Sequence, residues 1–151
     1  MAAQSSKSDK TIGKSTQTFV WVDSWQQQCC GDDFRVGSHV KWQVRRTEPS
    51  ADWVATLLGK EWGDKVCFAE EHHDNSADAE LNGMVQSIQA VTCDRQLEKQ
   101  SPRLGSQKVW VPIPGSGQLR KVETAGLTEE TYDPSHTFDG WIVGVHVEQL
   151  T

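Results

Sequence analysis

The chain has 151 residues, 36% of them hydrophobic, with seven tryptophans and a formal net charge of -6. That is enough apolar material for one core and too little chain for two ordinary domains. The acidic balance disfavours nonspecific binding to a phosphate backbone, so nucleic acid is an unlikely partner.

Residues 1–18 hold one large apolar residue after Met1, namely Ile12, and lack both the apolar stretch of a signal peptide and the makings of a core. They are expected to form a disordered, mildly basic tail, with a single domain over residues 19–151. No window approaches the roughly 18 consecutive apolar residues of a membrane span, so a cytoplasmic location without membrane contact is expected. In that compartment Cys29, Cys30, Cys67 and Cys93 would be reduced or metal-bound rather than disulfide-linked.

The stretch "FVWVDS", residues 19–24, is apolar on both parities and predicts a strand buried on both faces. "WQQQCCGDDFRVGSHVKW" follows, with Gly31 and Gly37 supplying the backbone freedom of sharp corners. Its end runs into "HVKWQVRR", where Val40, Trp42 and Val44 alternate with His39, Lys41, Gln43 and Arg45, the pattern of a half-solvated strand. Pro49 and Ser50 open a short helix carrying Trp53, Val54, Leu57 and Leu58 at helical spacing, and Gly59 stops it.

"KVCFAEEHH" predicts a strand, and Asn82-Gly83 a turn before the strand "MVQSIQAVTC". The polar span 94–107 reads as a long surface loop. "KVWVPIPGSGQLRKV" predicts a hairpin turning at residues 115–117, with Pro112 and Pro114 confining its first arm to a sheet edge. A second polar loop, about residues 123–137, leads to a last strand in which Trp141, Val143, Val145 and Val147 alternate with Ile142, Gly144, His146 and Glu148. Six or seven short strands with one inserted helix predict a mainly β protein, a small antiparallel barrel of the SH3-like or OB-like kind, with tryptophans filling its interior.

The blocks "VWVDSWQQQCCGDDFRVGSHVKW", "DWVATLLG", "AEEHH" and "VPIPGSG" together resemble an uncharacterised bacterial family, the domain of unknown function 6578. The most specific part is the Trp-x-x-x-Cys-Cys-Gly-x-x-Phe-x-Val-Gly block, and the similarity runs through most of the chain from Phe19. The resemblance implies a recurring domain and no particular activity.

Cys29, Cys30, Cys67, Cys93, His72 and His73 exceed the four soft ligands of a tetrahedral zinc ion, which makes a metal site the sharpest alternative. The spacing argues against it. There is no C-x-x-C pair, and adjacent cysteines on an extended backbone point to opposite sides. As metal ligands, Cys29, Cys30, Cys67, His73 and Cys93 are the candidates; the simpler reading packs the paired cysteines as small apolar residues at a corner.

"EEHH", residues 70–73, combines carboxylates and imidazoles and could move protons, but it reads more simply as the solvated end of a strand. No G-x-S-x-G elbow marks a nucleophile, and "TIGKS" lacks the first glycine of a phosphate-binding loop. The expected function is a binding or adaptor module without catalytic machinery or cofactor, recognising a protein or small ligand. Its expected groove lies between the corner of Cys29, Cys30 and Phe34 and the segment of Glu70, His72 and His73. The rival readings are a zinc protein or small enzyme using those cysteines and histidines, and, last, single-stranded nucleic-acid binding.

Overall fold

A computed structural model describes residues 16–24, 33–47, 53–71, 77–99, 108–126 and 133–151. In chain order these form β1 (Gln17–Asp23), β2 (Phe34–Arg35), β3 (His39–Arg46), α1 (Trp53–Leu58), α2 (Lys60–Lys65), β4 (Val66–Glu70) and β5 (Ala79–Lys99). They continue with β6 (Lys108–Pro112), β7 (Gln118–Val122), β8 (Thr124–Ala125) and β9 (His136–Leu150). Strands make up 67% of the described residues, so the protein is mainly β.

Five strands close on themselves in the order β3, β4, β1, β9, β5 and back to β3. The result is the small barrel that the alternating strands predict. One joint departs from the antiparallel expectation: β1 and β4 run parallel, with Val20 beside Phe68 and Trp21 beside Ala69. A parallel pair needs a crossover, and the chain supplies one through β3, α1 and α2.

The helix over Trp53–Leu58 stops at Gly59 as predicted, its expected opening at Pro49 and Ser50 lies outside the described residues, and a second, α2, follows it directly. Gly63 of α2 lies so close to α1 that a Cβ there would stand 2.6 Å from the Ala55 Cβ.

Alternation sorts the side chains into two cores. Val20 and Val22 of β1, Val40 and Val44 of β3, Leu81, Val85 and Ile88 of β5, and Trp141, Val143, Val145 and Val147 of β9 pack inside the barrel. On the outer wall, Val54 and Leu57 of α1 pack against Trp21, Val66, Ala69, Val91, Cys93 and Ile142. β1 and the middle of β9 are therefore walls between two cores, which is why they are apolar on both parities.

Tryptophan fills less of the barrel than its abundance suggests. Trp141 is inside and Trp42 packs against the inner core, but Trp21, Trp53 and Trp62 belong to the helix side and Trp110 is exposed. Valine does most of the filling, since five narrow strands leave room for few large rings.

β5 overturns two expectations. Asn82-Gly83 is not a turn; both lie within the single strand Ala79–Lys99, where the register with β9 shifts between them. Glycine serves a bulge as well as a turn, and here the missing Cβ admits the backbone carbonyl of His146. The expected loop from Asp94 is strand as far as Lys99.

β6 and β7 also do not pair with each other as a hairpin. They lie end to end on one edge of β5, β7 along Ile88–Thr92 and β6 along Arg95–Lys99. Their connection is held by α1 instead. The Gly115 and Gly117 N–H groups donate to the Thr56 and Leu57 carbonyls, both at 2.9 Å, satisfying acceptors that the end of the helix leaves open. β6 is an edge strand, as Pro112 predicts. Within the expected loop 123–137, β8 pairs with β2, and β9 begins at His136.

Candidate functional site

Of the six residues predicted to form a binding corner, Cys29, Cys30, His72 and His73 lie outside the described residues. Phe34 and Glu70 are both buried. Because β1 and β4 are parallel, the chain leaves Asp23 and Glu70 at the same end of the barrel. Phe34 plugs that end, edge-on to Trp42 at 5.2 Å and to Trp141 at 6.3 Å.

Glu70 is the unexpected member. It stands directly opposite Val44, which is buried in the inner core, and two residues past the inward Phe68, so its carboxyl faces the barrel interior. It is 2% exposed, not the solvated strand end that "AEEHH" suggests. Burial, and secondarily the neighbouring Glu71 carboxylate, push its pKa up to about 8. At neutral pH the group is mostly a neutral acid. Glu71 instead meets Arg45 at 3.4 Å. In the same interior the indole Nε1 of Trp141 is buried and finds no acceptor among the described residues.

A polar cluster missed in the sequence sits where β5 and β9 part. Arg95 Nη2 donates to Asp139 Oδ1 at 3.0 Å, and its Nε donates to Thr137 Oγ1 at 2.9 Å. Thr137 in turn donates to Asp139 at 3.1 Å, while the Arg95 guanidinium lies 5.7 Å from the Trp53 ring centre. His136 Nδ1 donates to Asp94 Oδ1 at 2.8 Å. The alternation of Cys93, Arg95 and Leu97 against Asp94, Gln96 and Glu98 was the available signal, hidden by the polarity of the run.

Serine, histidine and aspartate thus meet, yet not as a catalytic triad. The Ser116 hydroxyl accepts from the Asp94 N–H at 3.0 Å and donates to the Asp94 carbonyl at 3.2 Å. It holds a loop to a strand and is not aimed at the imidazole, so these contacts build no activated nucleophile.

Of the predicted metal ligands, Cys67 is exposed on β4, Cys93 is buried on β5, and Cys29, Cys30 and His73 lie outside the described residues. Among the described residues no three His, Cys, Asp or Glu side chains converge as a metal site requires. Burial, followed by the Asp139 carboxylate, pushes the Cys93 thiol up to about 11, far from a ready thiolate.

Past Asp94, β5 has no further β9 partner and continues with β6 as a two-stranded ribbon. Leu97 and Trp110 stand directly opposite each other on it, 48% and 39% exposed. Parity puts Arg95 and Lys108 on the same face, with Lys99 at the register position opposite Lys108. Among the described residues only Met84 is a comparably exposed large apolar side chain.

A closed five-stranded barrel, braced by two short helices and extended by an exposed ribbon, defines a small β-barrel module. The chain belongs to DUF6578, a family of unknown function, whose model matches residues 16–147. No curated protein and no solved structure matches it. No described helix is long and apolar enough to cross a membrane.

Proposed function

We propose that this chain is a cytoplasmic binding or adaptor module that works without catalytic machinery or cofactor and docks a protein segment on the β5–β6 ribbon. The observation that carries the reading is the Leu97–Trp110 pair, an apolar cross-strand contact left in solvent on a strand pair that the barrel does not need for closure. Exposed aromatics of this kind are the usual anchors of protein interfaces.

The partner chemistry follows from the surroundings of the pair. Lys108 is exposed on the same face, which suits an extended segment bearing an acidic residue beside an apolar anchor. Among the described residues β6 is the last strand of its sheet, and its outer edge offers backbone groups for strand addition up to Pro112. Among the described residues Cys67 and Cys93 are not disulfide-linked, which suits a cytoplasmic setting.

Affinity capture from native extract with wild-type protein, Trp110→Ser and the remote control Lys60→Ser tests this. Partners kept by the control and lost with Trp110→Ser support the reading; partners indifferent to Trp110 refute it. Stoichiometric zinc in the purified protein would favour the metal reading instead. Saturable, steeply salt-dependent binding of a single-stranded oligonucleotide would replace the protein partner with nucleic acid.

A further inference from the structure

A second feature lies on the opposite stretch of β5, and it is a cleft rather than a surface. Along one edge of β5, pairing with β3 ends at Met84 and pairing with β7 begins at Ile88. Between them the register with β9 shifts at Val85–Ser87, and the turn after β2 takes over: Gly37 N–H donates to the Val85 carbonyl, and Val85 N–H donates to the Ser38 carbonyl, both at 2.8 Å. The β2–β8 ladder, extended by a 3.0 Å bond from Val36 N–H to the Glu123 carbonyl, forms the far wall. The half-open cleft has a volume of about 560 Å³, within the range of small-molecule sites.

The lining is amphipathic in an ordered way. Val36, Ile88 and Val122 supply an apolar floor continuous with the barrel core. Arg120 pairs with inward Ala90, as Val122 pairs with inward Ile88, so Arg120 stands on the same face as that floor. Lys121 adds a second cation to the lining, and Arg35 stands opposite the lining residue Thr124. Arg35 and Lys121 make no ion pair among the described residues, whereas Lys41, Arg45, Lys60, Lys65 and Arg95 all do. Among the described residues Glu123 is the one carboxylate in the lining. An acidic chain has thus gathered an excess of positive charge around an apolar-floored cleft.

We infer that this cleft binds a small organic anion, a carboxylate or phosphate ester attached to an apolar body. The cations hold the anionic head at the rim, and Val36, Ile88 and Val122 take the body.

Amide-resolved NMR titration tests the assignment with hexanoate, phenyl phosphate, inorganic phosphate and the neutral analogue hexanamide. Saturable shifts at residues 86–88 and 120–124 with either organic anion, at least tenfold weaker with hexanamide and with inorganic phosphate, are expected. Lys121→Glu and Arg120→Gln, both at exposed positions, should each weaken the organic anion at least tenfold while the rest of the spectrum stays in place. Hexanamide binding as well as hexanoate, inorganic phosphate binding as well as phenyl phosphate, shifts centred elsewhere, or affinity unmoved by Lys121→Glu would each overturn it. Binding on the ribbon is not involved, so failure here leaves the Trp110 experiment unaffected.

Discussion

Replacing Glu70 with glutamine keeps the shape of the side chain and removes its titration. The wild-type carboxyl has a pKa of about 8 in the folded barrel against an ordinary value of 4.5, because burial disfavours the charged form. Below pH 4.5 both states are protonated and the group costs nothing. Above it the unfolded chain loses its proton first, so each further pH unit favours unfolding by about 1.4 kcal/mol until the folded group also ionises near pH 8. The accumulated loss is about 3 kcal/mol at pH 7 and about 4 kcal/mol at pH 8, a large part of the stability of a small domain. Glu70→Gln should therefore match wild type near pH 4.5 and exceed it by about those amounts at pH 7 and pH 8. Urea unfolding followed by tryptophan fluorescence at several pH values reads the difference directly. Groups common to both proteins, such as the His39–Glu148 and His136–Asp94 pairs, cancel in the comparison. A stability gap that stays flat between pH 4.5 and pH 8 would refute the burial argument.

Three further outcomes follow from packing and charge. Arg95→Met keeps an apolar stem against Trp53 but strands the Asp139 carboxylate, whose side chain is 7% exposed, and should cost about 3 kcal/mol in denaturant unfolding. Asp139→Asn in the same background should recover part of that loss; no recovery would mean the charge is not the cause. Gly83→Ala drives a Cβ into the His146 backbone carbonyl and should destabilise by about 2 kcal/mol, with little effect on the ribbon's own binding. Peptide-level mass spectrometry after brief alkylation at pH 8 should find Cys67 modified and Cys93 untouched until the protein unfolds, since Cys93 is 0% exposed and its thiol is pushed up to about 11.

The legible parts of the sequence were those where one face of a strand meets a core. β3 and the second half of β9 alternate because their other face meets solvent or the helices, and the helix at residues 53–58 shows its buried Val54 and Leu57 at helical spacing. What resisted reading was β5. Gly83 has the same local signature whether it turns a chain or opens a bulge, and only the partner strand decides between them. Beyond Asp94 the strand is polar because the ribbon has no core to face, so periodicity lost its meaning there. Glu70 was illegible for a different reason. A glutamate beside Glu71 looks solvated in any pattern, and its burial follows only from standing opposite Val44 once the barrel has closed. The paired cysteines Cys29 and Cys30 lie outside the described residues, and the cluster of Asp94, Arg95 and His136 draws on residues more than 40 apart in the chain.

Closure itself explains where binding can occur. A closed barrel satisfies every ladder, and with its inside filled by side chains it offers neither a free edge nor a cavity of its own. β5 is 21 residues long, far more than the five strands need, and it serves β3, β9, β7 and β6 in turn. The excess length creates both proposed surfaces. Where β5 changes partner from β3 to β7 it leaves the cationic cleft, and where it outruns β9 it carries Leu97 to face Trp110. Substitutions at Val85 should act through the barrel core and those at Ile88 through both the core and the cleft floor, while those at Leu97, Trp110 or Lys121 should change binding and leave unfolding within about 0.5 kcal/mol of wild type.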